Sequence, residues 1–200
     1  MSHIIDHVGN TPCIEIPCQK PGVQIFAKCE WFNPSGSVKD RAAANMIKKG
    51  IEAGEVNGKT LIDATSGNTG IAYALYGASL GIPVELALPE NASEERKLIL
   101  RNYGVKLHLT SGLEATDGAQ RYVDALVAEN KATYFFPNQY ANDNNWKAHV
   151  ESTGPEIWHQ TKERVTHFVA GLGTTGTFMG TARFLQPKGV HCVSVEPNTP

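Results

Sequence analysis

Short apolar runs alternate with longer stretches of helical periodicity along the whole chain, and this alternation limits the possible folds more than any other feature. The pattern is typical of βαβ units that build a mostly parallel sheet, so we predict an α/β fold. The predicted strands are Val23–Lys28, Thr60–Asp63, Val84–Leu88, Val105–Leu109, Thr133–Phe136, His167–Ala170 and Val190–Val195. The predicted helices are Lys39–Ala53, Thr69–Leu80, Ser93–Tyr103, Glu114–Asn130, Trp146–Gln160 and Thr177–Leu185. Two helix starts, Asn91 to Glu94 and Ser37 to Asp40, have the spacing of a capping box.

No linker rich in Pro, Gly or Ser divides the chain, so a second domain is expected to arise from strands that join different sheets. We predict that residues 40–145 form a small inserted domain and that residues 1–39 and 146–200 belong to a larger one. The last predicted strand, Val190–Val195, has no covering helix after it, although parallel sheets are normally covered on both faces. We therefore expect the chain to be C-terminally truncated.

The charge balance argues against nucleic acids and membranes as partners. The chain has 18 Lys and Arg against 20 Asp and Glu, which gives a net charge of −2 and no excess of basic residues. Only residues 70–89 approach the length and apolarity of a membrane span, and Gly81 to Pro83 and Glu85 interrupt them. The first residues, Met1 to His7, lack the features of a secretory signal, so the cytoplasm is the expected compartment.

The cysteines and histidines show none of the spacings that mark disulfide frameworks or metal sites. The four cysteines form no C-x-x-C pair, and the seven histidines form no H-E-x-x-H motif. Scattered cysteines of this kind are typical of small buried apolar residues in a reduced cytosolic protein. We expect no metal.

Lys39 is the candidate reactive amine. It follows the turn Asn33-Pro34-Ser35-Gly36-Ser37 at the start of a predicted helix, where the positive end of the helix dipole disfavours the charged ammonium. A lysine that loses its proton easily can act as a nucleophile or form a Schiff base with a carbonyl compound. The alternative is an ordinary surface lysine paired with Asp40 or Glu30.

Two glycine-rich turns each lie between a predicted strand and a predicted helix. Thr65-Ser66-Gly67-Asn68-Thr69-Gly70 offers backbone amides, hydroxyls and a side-chain amide, which suit a carboxylate or phosphate, although an ordinary helix cap is an alternative. Gly171-Leu172-Gly173-Thr174-Thr175-Gly176 matches G-x-G-x-x-G, with Glu196 twenty residues beyond Gly176. It therefore fits either a dinucleotide or, because Thr174, Thr175 and Thr177 add hydroxyls, a single phosphate monoester.

Together, and in this order, these three segments resemble the pyridoxal-phosphate enzymes of the cysteine synthase and cystathionine β-synthase family, which have fold type II. The resemblance runs from Gly9-Asn10-Thr11-Pro12 to the end of the chain and is most similar to the B type of cysteine synthase in Ser152 to Trp158 and in Thr166 to Thr177. Leu172, and Tyr140 where a Phe is more usual, depart mildly from the family pattern. Family members also continue further and supply a Ser or Thr for the pyridine nitrogen, for which this chain has no counterpart by position.

The resemblance implies a fold of two open parallel-sheet αβα domains, the larger one incomplete here, with residues 40–145 closing over the substrate. It implies that Lys39 holds pyridoxal 5′-phosphate covalently and later moves the substrate Cα proton, while Asn68 bonds the 3-oxygen of the cofactor. The residues implied to hold the phosphate are Gly173, Thr174, Thr175, Gly176 and Thr177, and those implied to bind the substrate carboxylate are Thr65, Ser66, Gly67, Thr69 and Gln139.

The activity that the resemblance implies is an O-acetylserine sulfhydrylase reaction. A β-replacement would make L-cysteine from O-acetylserine and a sulfur donor, either sulfide or thiosulfate, and the enzyme would be a homodimer. The sequence leaves two other hypotheses: a non-catalytic truncated fragment that binds or assembles with a partner, and a nucleotide-binding unit at Gly171 to Gly176.

Overall fold

The computed structural model describes residues 3–198, so the outer ends of the predicted larger domain, residues 1–2 and 199–200, lie outside the described residues. Within this range the strands are β1 (Cys13–Ile16), β2 (Ile25–Lys28), β3 (Thr60–Ala64), β4 (Val84–Pro89), β5 (Lys106–Thr110), β6 (Tyr134–Phe135), β7 (His167–Gly171) and β8 (His191–Val195). The helices are α1 (Lys39–Glu52), α2 (Asn68–Leu80), α3 (Glu94–Asn102), α4 (Ala115–Glu129), α5 (Asp143–Ala148), α6 (Gly154–Gln160) and α7 (Gly176–Leu185). A π-helical turn, His149–Thr153, joins α5 to α6.

The strands form two parallel sheets and one antiparallel hairpin. The larger sheet has the order β5–β4–β3–β6, and the smaller parallel sheet pairs β7 with β8. The hairpin pairs β1 with β2. Helices follow the carboxyl ends of the parallel strands, and the α/β fold predicted from the alternation of apolar runs is confirmed.

The main core lies between the larger sheet and the helices α1 and α2. Its fully buried side chains include Met46 and Ile47 of α1, Tyr73 and Tyr76 of α2, and Leu86 of β4. The helix α2 is rich in small residues and ends at Gly81, whose φ of 69° lies in the left-handed region that glycine adopts without strain. This packing fixes the start of α2, and with it the first glycine-rich turn.

A second, smaller core joins β7 and β8 to α6 and α7. Phe168, Leu185 and Val190 are buried in it. Helix α7 passes very close to α5. A Cβ atom built on Gly180 would lie only 2.1 Å from the backbone oxygen of Trp146. Only glycine allows this approach, which brings the start of α7 against α5.

The predicted domain division stays a prediction. The larger sheet is built from residues 60–135, inside the predicted small domain, while the hairpin and the smaller sheet use residues on either side of it. Among residues 3–198, no helix has the length and apolarity needed to cross a membrane.

Four local predictions were inaccurate. Strand β1 was not predicted, and β2 begins at Ile25 rather than Val23. The predicted helix Trp146–Gln160 starts earlier, at Asp143, and contains the π turn. Asn91 does not cap α3; the side chain of Ser93 accepts the hydrogen bond from the Arg96 amide, while Asn91 donates to the Gly112 carbonyl.

Candidate active site

Lys39 begins α1 and is half-buried beneath the turn that precedes it. Its Nζ forms no hydrogen bond or ion pair with another residue between 3 and 198. Burial lowers the pKa of Lys39, because the charged ammonium loses water without gaining a negative partner. The alternative of a lysine paired with Asp40 or Glu30 is therefore wrong, and the free amine is favoured more than at the protein surface.

Asp40 holds the turn in front of Lys39. Its carboxylate accepts hydrogen bonds from the Ser35 amide at 2.9 Å and the Ser35 hydroxyl at 2.6 Å, and from the Tyr76 hydroxyl. It also accepts from the Ser37 amide at 3.2 Å, and the Ser37 hydroxyl accepts from the Lys39 amide at 3.2 Å. Ser37 therefore makes only one bond of the predicted capping box, from its amide to the Asp40 carboxylate, since its hydroxyl bonds the Lys39 amide and the N-cap residue is Val38. Tyr76 ties this turn to α2.

Arg41 fixes the other side of the same helix start. Its guanidinium makes paired hydrogen bonds at 2.7–2.8 Å with Glu30 and at 2.7 Å with Glu156, and Lys28 lies 2.6 Å from Glu156. Burial alone would raise the pKa of Glu156, but hydrogen bonds from Arg41 and Lys28 outweigh it and lower the pKa to about 2. The network therefore stays charged and holds α1 to β2 and α6 near Lys39.

The first glycine-rich turn connects β3 to α2. Thr65 is buried, and its hydroxyl accepts a hydrogen bond from the Gly67 amide at 3.2 Å, while Ser66 and Gly67 are partly exposed. Asn68 is exposed at the first position of α2, and no atom within 4 Å would contact a Cβ added to Gly67. The turn therefore presents the N-terminus of α2 to open space, as an anion site requires.

Gln139 lies directly against this turn. Its Oε1 accepts from the Thr69 hydroxyl at 2.8 Å, and its Nε2 donates to the Ala64 carbonyl at 3.2 Å. The Gln139 amide donates to Asp63 Oδ2 at 3.3 Å. Gln139 and Thr69 are both nearly inaccessible to solvent, at 5% and 3% exposed. The structure thus brings residues 70 positions apart into one hydrogen-bonded group.

Asp63 is a buried carboxylate that the sequence analysis did not single out. It is the fourth residue of β3, and it accepts hydrogen bonds from the Tyr73 hydroxyl at 3.0 Å and from the Ala64 amide at 2.8 Å as well as from Gln139. Burial is the main cause that raises its pKa to about 7, and the charge of Asp124 adds to it. Asp63 therefore titrates near neutral pH beside the first glycine-rich turn.

The second glycine-rich turn connects β7 to α7. Thr175 precedes α7 with a φ of 63°, and Gly176 begins the helix. The backbone amides of Gly173, Thr174 and Thr175 donate no hydrogen bond to a backbone carbonyl in the described part of the chain. A Cβ atom on Gly173 would meet open space. Unpaired amides that converge before a helix start are the arrangement that binds phosphate groups.

His149 contacts this second turn at Thr177 and was not singled out in the sequence. It lies in the π turn, with Nε2 3.3 Å from the Thr177 hydroxyl and Nδ1 2.8 Å from the Thr153 hydroxyl. Burial lowers its pKa to about 3, and the charges of Arg41 and Lys39 act in the same direction. The ring is therefore neutral at physiological pH. π turns often mark functional sites. No spacing in the sequence predicted this turn, so no sequence signal pointed to His149.

A cavity of about 230 Å³ lies between the 139–146 segment and the start of α7. Four of the predicted site residues border it, namely Gln139, Thr174, Thr175 and Gly176, whereas Lys39, Asn68 and the Thr65 to Thr69 turn do not line it. Hydrogen bonds thus connect Thr69, Gln139 and Thr174 through Asn145, and the cavity adds Thr175 and Gly176, whereas Lys39 makes no contact of this kind with them among residues 3–198.

Comparison with known proteins gives consistent matches over almost the whole chain. Residues 4–200 match the family described as pyridoxal-phosphate dependent enzyme. The chain is 52% identical to the cysteine synthase of Aquifex aeolicus, over 98% of this chain and 63% of that protein. It is 43% identical to cysteine synthase B of Escherichia coli, over 98% of this chain and 66% of that protein.

The fold is also that of a solved structure. The crystal structure of a cysteine synthase from Entamoeba histolytica matches with a TM-score of 0.92 and 38% sequence identity, covering 98% of this chain and 61% of that one. The chain therefore spans 61–66% of the length of these relatives.

Proposed function

Because the chain belongs to the family of pyridoxal-phosphate dependent enzymes, as its motifs predicted, we propose that it contributes Lys39 and two anion-binding turns to a β-replacement that makes L-cysteine from O-acetylserine. The single observation that carries the proposal is Lys39 itself. It is a half-buried amine with a lowered pKa and no negative partner in the described chain, and its charge acts on His149, which contacts Thr177.

The residues around Lys39 fit pyridoxal phosphate. The Gly173 to Thr177 turn offers unpaired amides and the hydroxyls of Thr174, Thr175 and Thr177 to the phosphate group. Asn68 is exposed at the start of α2 with no side-chain hydrogen bond among the described residues, so its amide is available to the 3-oxygen. When bound, the cofactor supplies an electron sink for chemistry at the substrate Cα, so the protein provides binding and orientation.

Each group of residues then has a defined task. Lys39 Nζ would hold the cofactor and would accept the proton from the substrate Cα, which requires the neutral amine that burial favours. The residues of the first turn that bind the substrate carboxylate are Thr65, Ser66, Gly67 and Thr69, with Gln139 closing the pocket. Fixing the carboxylate orients the Cα–H bond toward Lys39. Acetate leaves from Cβ, and the sulfur donor adds at the same carbon.

The sulfur donor in this proposal is sulfide or thiosulfate, and the protein acts as a homodimer in the cytoplasm. The family assignment removes the need for a dinucleotide at Gly171 to Gly176, since the same amides suit a phosphate monoester. A non-catalytic fragment of the family remains the competing hypothesis, because the chain spans less than two thirds of its relatives.

An absorbance titration separates the two hypotheses. We expect the 200-residue chain to bind pyridoxal phosphate with a new absorption band at the visible edge, and O-acetylserine to change that band. The product would then be measured as L-cysteine with sulfide and, separately, as S-sulfocysteine with thiosulfate. A band that forms but does not respond to O-acetylserine would favour the fragment hypothesis, and no band at all would contradict the proposed function.

Exchanging one hydroxyl in each turn should separate their roles. Thr65→Ala should weaken amino-acid binding about 10-fold or more while cofactor stays bound, because a hydrogen bond to a charged group contributes about 1.5–3 kcal/mol. Thr175→Ala should instead loosen the cofactor. Each variant is the control of the other, since both remove a threonine hydroxyl before a helix start. Equal loss of cofactor in the two variants would show that the turns have been assigned incorrectly.

A further inference from the structure

Asn145 connects the two glycine-rich turns, although no motif drew attention to it. It lies in α5 and is 5% exposed. Its Nδ2 donates to the Gln139 carbonyl at 2.7 Å and to the Thr174 hydroxyl at 3.0 Å. A side-chain amide nitrogen carries two hydrogens, so these two bonds use its whole donor capacity. Asn145 therefore bonds both to Gln139, which borders the first turn, and to Thr174, which lies in the second turn.

The connection continues without a break to the first turn. Gln139, whose carbonyl accepts from Asn145, accepts at Oε1 from Thr69 and donates from Nε2 to the Ala64 carbonyl. Thr69, Gln139 and Asn145 are each at most 5% exposed. Water therefore has little access to the bonds between Thr69, Gln139 and Asn145, whereas Thr174 is half-buried. The loss of one buried partner leaves the next group unpaired.

Packing holds Asn145 in this position from the other side. A Cβ atom built on Gly176 would lie 2.0 Å from Asn145 Oδ1, so the start of α7 rests directly on the amide group. A shift of the second turn thus moves Asn145, and a shift of Asn145 moves the Gln139 carbonyl. The two turns have no comparable link through Lys39, which makes no hydrogen bond with its Nζ among the described residues.

We propose that Asn145 is a positioning residue that couples the conformation of the phosphate-binding turn to the affinity of the first turn for the substrate carboxylate. The proposal rests on the proposed function, because it takes the two turns as the phosphate and carboxylate sites. The proposal predicts that a substitution at Thr174 alone alters the binding of the substrate carboxylate at Thr65 to Thr69. It also predicts that this effect disappears when Asn145 is replaced.

The test is a double-mutant cycle on amino-acid affinity. The four proteins are the wild-type chain, Thr174→Val, Asn145→Ala and the double variant, each saturated with pyridoxal phosphate. The affinity for L-serine, which lacks the acetyl leaving group, is read from the change in the cofactor absorbance. We expect Thr174→Val to weaken L-serine binding about threefold to tenfold in the wild-type background, as the loss of one buried hydrogen bond predicts, and less than twofold in the Asn145→Ala background.

Thr161→Val is the matched control, because it makes the same substitution at a buried threonine whose hydroxyl donates to the carbonyls of Ile157 and Trp158, away from both turns. It should leave the L-serine affinity of the saturated protein within twofold. If Asn145→Ala does not fold, Asn145→Asp takes its place in the cycle, because it keeps the shape of the side chain and removes both donated hydrogens.

Equal L-serine affinities in Thr174→Val and the wild-type chain would overturn the inference, as would equal effects of Thr174→Val with and without Asn145. Both results leave the proposed function standing, because cofactor and amino acid still bind. A wild-type chain that binds no pyridoxal phosphate would instead contradict the proposed function, and the positioning role would fall with it.

Discussion

Replacing Arg41 with methionine should lower the free energy of unfolding by about 3–5 kcal/mol, because it leaves two buried carboxylates without their partner. The Arg41 side chain is 1% exposed and forms paired hydrogen bonds with Glu30 and Glu156. Lys28 still neutralises part of the charge on Glu156, so the larger penalty falls on Glu30. Urea denaturation of the two proteins at pH 7 measures the difference.

The matched control is Arg121→Met, which breaks an exposed ion pair with Glu114 at 2.9 Å. This change should alter stability by less than about 1 kcal/mol, as is usual for surface pairs. Glu156→Gln gives a milder test, since the amide keeps the shape of the carboxyl group. An Arg41→Met protein as stable as Arg121→Met would show that the network around Arg41 makes no net contribution to the free energy of unfolding.

The same network sets a sign for pH dependence. The pKa of Glu156 is lowered to about 2, so its contribution is complete above the ordinary pKa of a glutamate and is lost as the pH falls toward 2. Asp63 has the opposite effect on stability, because its pKa is raised and the stability it contributes is lost as the pH rises. The opposite pH dependence distinguishes the two groups experimentally.

Wild-type protein should lose about 3 kcal/mol of unfolding free energy between pH 4 and pH 7 relative to Asp63→Asn. The pKa of Asp63 is raised from 3.8 to about 7, mainly by burial, and each unit of pKa difference corresponds to about 1.4 kcal/mol. Over this range the folded chain holds a proton at Asp63 that the unfolded chain has released. Stability from this proton is therefore greatest below pH 4 and is lost as the pH rises through 7.

Denaturation curves at several pH values measure this effect, with the exposed Asp117 replaced by asparagine as the control. Asp124→Asn should move the Asp63 transition to lower pH, because the charge of Asp124 helps to raise its pKa. Parallel stability profiles for the wild-type chain and Asp63→Asn would contradict the assignment. Since Asp63 accepts a hydrogen bond from the Gln139 amide, the same titration should alter how firmly Gln139 is held.

Local sequence signals were sufficient for the elements that carry the site. The turn before Lys39, the strand before Thr65 and the strand before Gly173 are each defined by neighbouring residues, namely apolar runs followed by glycine and hydroxyl residues. These signals depend on backbone geometry within about ten residues, so the start of each helix was predicted to within a few positions.

The polar groups between these elements could not be predicted, because their contacts join distant segments. Asp63 meets Gln139 across 76 residues, Asn145 meets Thr174 across 29, and Arg41 meets Glu156 across 115. Strand β1 was missed for a different reason, since Cys13–Ile16 is short and largely exposed and so lacks a strong apolar run. The π turn ends at Thr153, two residues before Pro155, which has no amide hydrogen to continue regular bonding. It was not predicted because the surrounding residues keep a helical period.

The central claim is that Lys39 carries the cofactor, and covalent labelling tests it most directly. The 200-residue chain is incubated with pyridoxal phosphate, reduced with borohydride, digested and mapped by mass spectrometry, beside Lys39→Ala and Lys48→Ala. We predict pyridoxyl on Lys39 in the wild-type and Lys48→Ala chains and its loss in Lys39→Ala. Among the lysines between residues 3 and 198, Lys39 is the one that combines partial burial and a lowered pKa with an Nζ that makes no hydrogen bond or ion pair. Label on Lys28 or Lys48 with Lys39 unmodified would contradict the account.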